Sequence, residues 1–164
     1  MVPINQASPL RRVIVHAPGA ELERLTPDSR EGLLFDGLTE HGSARLAGDT
    51  DGAGSGPTPA EALLLAVGGC TGMDVVSILR KMRQPLQAFR VEVVGDRAAE
   101  HPRRYTALEV VYHLVGDLDE SKVRRAIDLS EQRYCSVEAT LRDCVPISSR
   151  YIIERPETGR EAQA

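Results

Sequence analysis

Two cysteines lie in stretches of sequence whose composition points to thiol chemistry. Cys70 follows a pair of glycines in the apolar run GPTPAEALLLAVGGCTGMDVVSILRKMR, and Cys135 comes 65 residues later in EQRYCSVEATLRDC. With Cys144 they are the three cysteines of the chain. Their spacings match neither a disulfide framework nor a CxxC motif, so no structural zinc site is predicted. Each cysteine is then either a buried apolar group or a reactive thiol.

The glycine pair before Cys70 bears on that choice. A glycine inside a helix costs about 1 kcal/mol relative to alanine, so two in succession indicate a specific requirement. One possibility is that another helix, a partner subunit or a substrate approaches the backbone there. The other is a local break that makes Cys70 a first-turn residue, where free N–H groups favour a thiolate. Asp74, one turn later, opposes a thiolate, so a useful one needs a cation from another strand or subunit.

A purely structural role stays open for each cysteine. Free cysteine is among the most buried residue types, and the immediate surroundings of Cys70 and Cys135 do not by themselves require reactivity. Cys144 stands before Val-Pro at a predicted helix end without an activating group nearby in the sequence. We therefore predict a structural role for Cys144.

The element that carries Cys70 is predicted to be a long helix from Pro59 to Met82. Thr58 and Glu61 form a T-x-x-E capping box at its start. The first half, Ala62 to Val67, is apolar all round and is predicted to be buried on every side. The second half is amphipathic and ends in basic residues, as the helix dipole favours.

The remaining elements are predicted from periodicity and turn signals. RRVIVHAP is one strand, GLLFDGL and GSARLAG form a hairpin, and QAFRVEVVGDR pairs with RYTALEVVYHLVG in a second one. A helix capped by Asp119 follows, then a break near Cys135, a short helix in SVEATLRDC and a closing strand, ISSRYIIE. This order predicts one α+β domain over 1–164 with antiparallel sheet, a flexible loop at GDTDGAGSGPTP and mobile termini.

The bulk composition excludes several classes of protein. The 164 residues carry 20 Lys and Arg against 24 Asp and Glu, a net charge of −4, which disfavours nucleic acid as a partner. We expect no membrane partner, because no apolar run reaches the roughly 18–20 residues of a membrane span. Residues 1–20 lack the apolar core of a signal peptide, so a cytoplasmic location is expected.

The two cysteine motifs together resemble the OsmC/Ohr family of thiol peroxidases. GGC on the central helix and YCSV some sixty residues later are most similar to the smaller OsmC-like branch, over roughly residues 31–154. The resemblance implies the OsmC-like fold, in which antiparallel sheets wrap around the long central helices of an intertwined homodimer. It also implies two active sites at the subunit interface.

The chemistry implied by the resemblance is peroxide reduction without a metal or bound cofactor. Cys70 would attack an organic hydroperoxide and become a sulfenic acid, Cys135 would condense with it to a disulfide, and an external dithiol reductant would reset the pair. Family members also use an arginine and a glutamate to activate the first cysteine. Arg45 is the better match for the arginine and Arg30 the second, although either could be a solvated surface charge. Glu61 lies one residue after the family position and either activates Cys70 or only caps the helix.

Two other functions compete with the peroxidase. An apolar pocket at the dimer interface could bind a small hydrophobic ligand without catalysis, which the departure at the glutamate position and the acidic neighbour Asp74 favour. A thiol–disulfide oxidoreductase is disfavoured, because such enzymes use CxxC at a helix start in a βαβ context.

Overall fold

A computed structural model of the chain describes residues 14–16, 34–47 and 56–155. The chain divides into two compact units, Met1–Ala62 and Leu63–Ala164. The predicted loop at 48–55, the predicted mobile termini and Arg30 lie outside the described residues. That the whole chain forms one domain stays a prediction.

The first unit contains a three-stranded antiparallel sheet. Its strands are β1 (Ile14–His16), β2 (Leu34–Thr39) and β3 (Gly42–Ala47), in the order β1-β2-β3, which confirms the first predicted hairpin. After β3 the chain passes back along this strand at Gly56. The two backbones are so close that a Cβ on Gly56 would lie 2.8 Å from the carbonyl oxygen of Arg45. The backbone N–H of Ala47 donates to the carbonyl of Pro57 at 3.0 Å and fixes this return.

The central helix, α1 (Pro59–Lys81), runs without interruption for 23 residues. Its capping box is confirmed, since the N–H of Thr58 donates to Glu61 Oε2 at 2.7 Å and the N–H of Glu61 donates to Thr58 Oγ1 at 3.2 Å. The alternative of a break at the glycines is wrong, so Cys70 is a mid-helix residue and not a first-turn one.

The second unit contains a sheet of β4 (Leu86–Arg97), β5 (Tyr105–Gly116) and β6 (Ile147–Glu154), in that order. β4 and β5 form the predicted antiparallel hairpin. β6 instead lies parallel to β5, so the expectation of purely antiparallel sheet needs correction. The reason is the long connection between them, which returns the chain to the end of the sheet where β5 began.

That connection consists of three helical pieces. α2 (Glu120–Leu129) is capped by Asp119 as predicted, a π-helical turn covers Ser130–Tyr134, and α3 (Ser136–Leu141) follows the predicted break at Cys135. Buried side chains of α1, β5 and α2 form the core of the unit. They are Val67, Val75, Leu79, Leu108, Val110, Tyr112, Leu114, Val123, Ala126 and Ile127.

One face of α1 stays uncovered in the single chain. Leu63 is 36% exposed, Leu65 63% and Met73 71%. The prediction that 62–67 is buried on every side is therefore wrong for the chain by itself. An apolar face of this kind is usual where a second chain or a ligand covers it.

Candidate functional site

The structure brings Cys70 and Cys135 together. Both sulfur atoms and a carboxylate oxygen of Asp74 lie within 4.8 Å of one another. Cys70 projects from the middle of α1, and Cys135 from the junction between the π-helical turn and α3. A disulfide needs the sulfurs at about 2.05 Å, so their separation must shorten by no more than about 2.7 Å.

Glycines seat this part of α1 against β4. A Cβ on Gly68 would lie 3.0 Å from Val93, and one on Gly72 would lie 3.3 Å from Val91. These two glycines are four residues apart and so share one face of the helix. Gly69, in contrast, has no atom within 4 Å of such a Cβ in the described part of the chain. Close approach of a neighbouring element therefore explains Gly68 and Gly72, and leaves Gly69 facing open space.

A local irregularity of the backbone positions Cys135. Its N–H donates to the carbonyl of Ser130, five residues back, at 2.8 Å, which closes the π-helical turn. Cys135 itself is extended, with φ −69° and ψ 99°, and its sulfur accepts a hydrogen bond from the N–H of Glu138 at 3.4 Å. The sulfur thus caps α3, and π-helical insertions of this kind are frequent at functional sites.

A chain of buried hydroxyl groups ends on Asp74. Ser130 Oγ donates to Asp74 Oδ2 at 3.1 Å, so its single proton is used there. The 2.9 Å contact between Thr71 and Ser130 must then have Thr71 as donor, and the 2.6 Å contact between Tyr112 and Thr71 must have Tyr112 as donor. Burial raises the pKa of Tyr112, which keeps this donor protonated. The network holds the carboxylate of Asp74, which lies beside the two thiols.

The two thiols differ in their surroundings. Cys70 is partly exposed, whereas Cys135 is 1% exposed. Burial, foremost, raises the pKa of Cys135 to about 12, and the neighbouring Cys70 and Glu138 add to the rise while the N–H of Glu138 opposes it. Cys135 is therefore a protonated thiol at neutral pH, and Cys70 is the one that a solute can reach.

Glu138 is a buried carboxyl group beside this cluster. Its side chain is 3% exposed, and Oε1 has no hydrogen-bond partner among the described residues. Burial, foremost, together with the charges of Glu131 and Asp74, raises the pKa of Glu138 to about 7, and the charge of Arg142 partly opposes this rise. Sequence patterns do not indicate this group, because a glutamate three residues into a short helix usually faces solvent.

The remaining predicted site residues are Arg45 and Glu61, and the remaining cysteine is Cys144. Arg45 is an exposed residue of β3, and Glu61 uses its carboxylate in the cap with Thr58; both belong to the first unit. Their part in activating Cys70 stays a prediction. Cys144 is exposed after α3 and lies outside the thiol cluster, so it does not fill the core.

The uncovered face of α1 also forms one wall of an apolar groove. The groove has a volume of about 890 Å³ and is lined by residues of α1 and β4 that include Leu65, Gly69, Met73 and Val93.

By length and composition α1 could also cross a membrane, alone among the helices of the described residues. The expectation that no apolar run is long enough is therefore wrong. Core helices of soluble proteins pass the same test, so the absence of a membrane partner stays a prediction.

Comparisons with known proteins show the family to which the chain belongs. A family model described as OsmC-like protein matches residues 52–150. Protein YhfA of Escherichia coli K12 is 39% identical over 122 residues, which cover 74% of this chain and 90% of YhfA. The crystal structure of a hypothetical protein from Aquifex aeolicus is 26% identical with a TM-score of 0.73, covering 92% of this chain and 100% of that one.

A protein with a stated role shares the fold at a greater distance. The organic hydroperoxide resistance protein OhrB of Bacillus subtilis has a TM-score of 0.56 and 12% identity, covering 87% of this chain and 98% of that one. At this identity the likeness shows the fold alone. The predicted α+β, OsmC-like fold is thereby confirmed for the chain.

Proposed function

Because this chain belongs to the OsmC-like protein family, we propose that it is a thiol-dependent peroxidase that reduces organic hydroperoxides. The OsmC/Ohr family includes peroxidases, and the matched region of this chain contains all three of its cysteines, Cys70 and Cys135 among them. The observation that supports the proposal most is the contact of the two sulfurs, which lie within 4.8 Å of each other on separate elements.

The exposure of the thiols supports the proposed order of the steps. The partly exposed Cys70 is the group that a hydroperoxide can reach, so its thiolate attacks the outer peroxide oxygen. The O–O bond breaks, the sulfur is oxidised to a sulfenic acid, and the alkoxide takes a proton to leave as an alcohol. The apolar surroundings of α1 suit an alkyl group.

The buried Cys135 then resolves the sulfenic acid. Its sulfur attacks the sulfur of Cys70, the S–O bond breaks, and the hydroxyl group leaves with the thiol proton as water. Burial keeps Cys135 protonated and away from substrate, so it does not compete for peroxide. An external dithiol reductant returns the disulfide to two thiols by exchange.

The activating groups are part of the proposal. Asp74 beside Cys70 opposes a thiolate, so a cation is required, and Arg45 is proposed to supply it. Glu61 is the proposed carboxylate partner from the resemblance, although its bonds to Thr58 already give it a capping role. An Arg45→Ala variant is expected to lose peroxidase activity while keeping the fold.

The proposed assembly is a homodimer in the cytoplasm. The exposed Leu65 and Met73 form an apolar face that a second copy of this chain would cover, as the family resemblance implies. The groove between α1 and β4 is also lined by the basic side chains Arg80 and Lys81, so this part of its lining is polar. A single chain in dilute solution would leave this face in water.

Steady-state turnover with cumene hydroperoxide and a dithiol tests the proposal. We expect Cys70→Ser to abolish turnover and Cys135→Ser to prevent repeated cycles. Cys144→Ser is the matched control, because Cys144 is exposed and lies outside the cluster. Undiminished turnover in Cys70→Ser would end the proposal.

The apolar groove favours a second candidate function, which is binding of a small hydrophobic ligand without catalysis. Neither Cys70 nor Cys135 lines this groove as far as the described residues go. Thiol titration before and after one equivalent of peroxide separates the two functions. The peroxidase predicts a loss of two thiols per chain, whereas the binding protein predicts no change and a saturable apolar ligand.

A further inference from the structure

We propose that Cys70, Asp74 and Cys135 form a binding site for one thiophilic divalent cation such as Zn²⁺. This goes beyond the proposed peroxidase and does not rest on it. The three ligand atoms come from two separate elements and lie within 4.8 Å of one another. Two sulfurs and one carboxylate oxygen are a ligand set that zinc takes.

The geometry needs little adjustment to hold the ion. Zinc binds sulfur at about 2.3 Å and carboxylate oxygen at about 2.0–2.2 Å, which in a tetrahedral site separates ligand atoms by roughly 3.5–3.8 Å. The observed limit of 4.8 Å exceeds this by about 1 Å. Bringing the sulfurs to bonding distance for a disulfide needs a larger movement, so the reduced site is closer to a metal-binding arrangement than to the disulfide.

Two of the three proposed ligands lie on one helix, and the third comes from another part of the chain. Cys70 and Asp74 are four residues apart on α1, the spacing that places two ligands on one face of a helix. Cys135 supplies the third ligand from a distant part of the chain. A CxxC motif indicates only ligands that are close in the sequence, so its absence does not exclude a site assembled from two elements.

A second layer of contacts holds the ligands in place. Ser130 donates a hydrogen bond to Asp74 Oδ2 at 3.1 Å and accepts one from Thr71 at 2.9 Å, so the carboxylate is held in position. The N–H of Glu138 holds the sulfur of Cys135. Such outer contacts orient metal ligands and typically contribute 10–100-fold to affinity.

The local charge also favours a cation. Asp74, Glu138 and the two thiols collect acidic groups at one place, and Glu138 is 3% exposed with an oxygen that has no hydrogen-bond partner among the described residues. A divalent ion would offset this charge. Three protein ligands would leave the fourth position of a tetrahedral zinc ion for water or another small ligand.

Binding displaces the thiol protons. One Zn²⁺ and two thiols give one zinc dithiolate and two released protons, with no change of oxidation state. Both sulfurs are then held as metal ligands. The metal-bound protein is therefore expected to react slowly with peroxide and with alkylating agents until the ion is removed.

Cobalt titration of the reduced, full-length protein without oxygen tests the site. We expect one Co²⁺ per chain, a thiolate-to-cobalt charge-transfer band in the near ultraviolet, and displacement of the cobalt by Zn²⁺. Cys70→Ser, Cys135→Ser and Asp74→Asn should each weaken binding by at least about tenfold, and Ser130→Ala by about 10–100-fold. Cys144→Ser is the control and should bind as the unaltered chain does.

A measurement on the unaltered protein tests the metal site even when one of these variants does not fold. With one equivalent of Zn²⁺, mass spectrometry should find Cys70 and Cys135 protected from an alkylating agent and Cys144 modified as before. An absent charge-transfer band, a band that depends on Cys144, or equal alkylation of Cys70 with and without zinc would overturn the proposal. Peroxide-driven loss of thiols is measured without metal, so failure of the metal site leaves the peroxidase test intact.

Discussion

Replacing Glu138 with glutamine should remove a pH-dependent loss of stability. The carboxyl group is 3% exposed, and burial together with neighbouring acids raises its pKa from an ordinary 4.5 to about 7. Between these values the unfolded chain gives up the proton while the folded chain retains it. The free energy of unfolding therefore falls as pH rises through this window, and the loss is complete above about pH 7.

The size of the effect follows from the same two values. At about 1.36 kcal/mol for each pKa unit, a rise from 4.5 to about 7 corresponds to about 3 kcal/mol. Glutamine does not ionise and has nearly the same shape. The free energy of unfolding of Glu138→Gln, relative to the unaltered chain, should therefore increase by about 3 kcal/mol between about pH 4 and pH 8.

Urea unfolding at several pH values measures this difference. The protein concentration is held fixed because a dimer would make stability depend on it, and a chelator and a reductant keep the thiols free. Glu100→Gln is the matched control, since Glu100 is exposed in the loop between β4 and β5. Parallel pH profiles for Glu138→Gln and the unaltered chain would refute the account of a buried carboxyl group.

Three further substitutions probe the elements around the site. Tyr112→Phe removes the first donor of the hydroxyl chain through Thr71 and should lower the free energy of unfolding by about 1 kcal/mol in urea. Gly72→Val should lower it by about 1–3 kcal/mol, despite better helix propensity, because the added methyl groups meet side chains of β4. Leu65→Glu should shift the protein toward monomer in light scattering, whereas Val94→Glu, equally a new charge at an exposed apolar position, should not.

Local patterns in the sequence were sufficient to predict most elements. Thr58 and Glu61 predicted the start of α1 because a capping box satisfies backbone donors with side chains only three residues apart. Alternation predicted the hairpin of β4 and β5. The direction of β6 could not be predicted, because alternation is the same in a parallel and an antiparallel strand.

The site was predictable only in part. The approach of Cys70 to Cys135 was implied by a family resemblance and not by spacing, since two segments 65 residues apart meet only through tertiary packing. The glycine pair indicated that another element approaches the helix backbone closely, but periodicity does not tell which of the two glycines faces that element. In the structure Gly68 packs on β4, whereas Gly69 faces open space. Glu138 was missed because the sequence pattern of a six-residue helix does not tell which of its side chains tertiary packing buries.

Peptide mapping by mass spectrometry after one equivalent of cumene hydroperoxide shows whether Cys70 and Cys135 form a disulfide. We expect a single cross-linked pair that joins the peptides of Cys70 and Cys135 and is two hydrogen atoms lighter than their sum, with Cys144 still a free thiol. A Cys70 that stays as an uncoupled sulfenic acid, or that pairs with Cys144 instead, would contradict the proposal that the adjacent sulfurs of α1 and the π-helical junction form one redox pair.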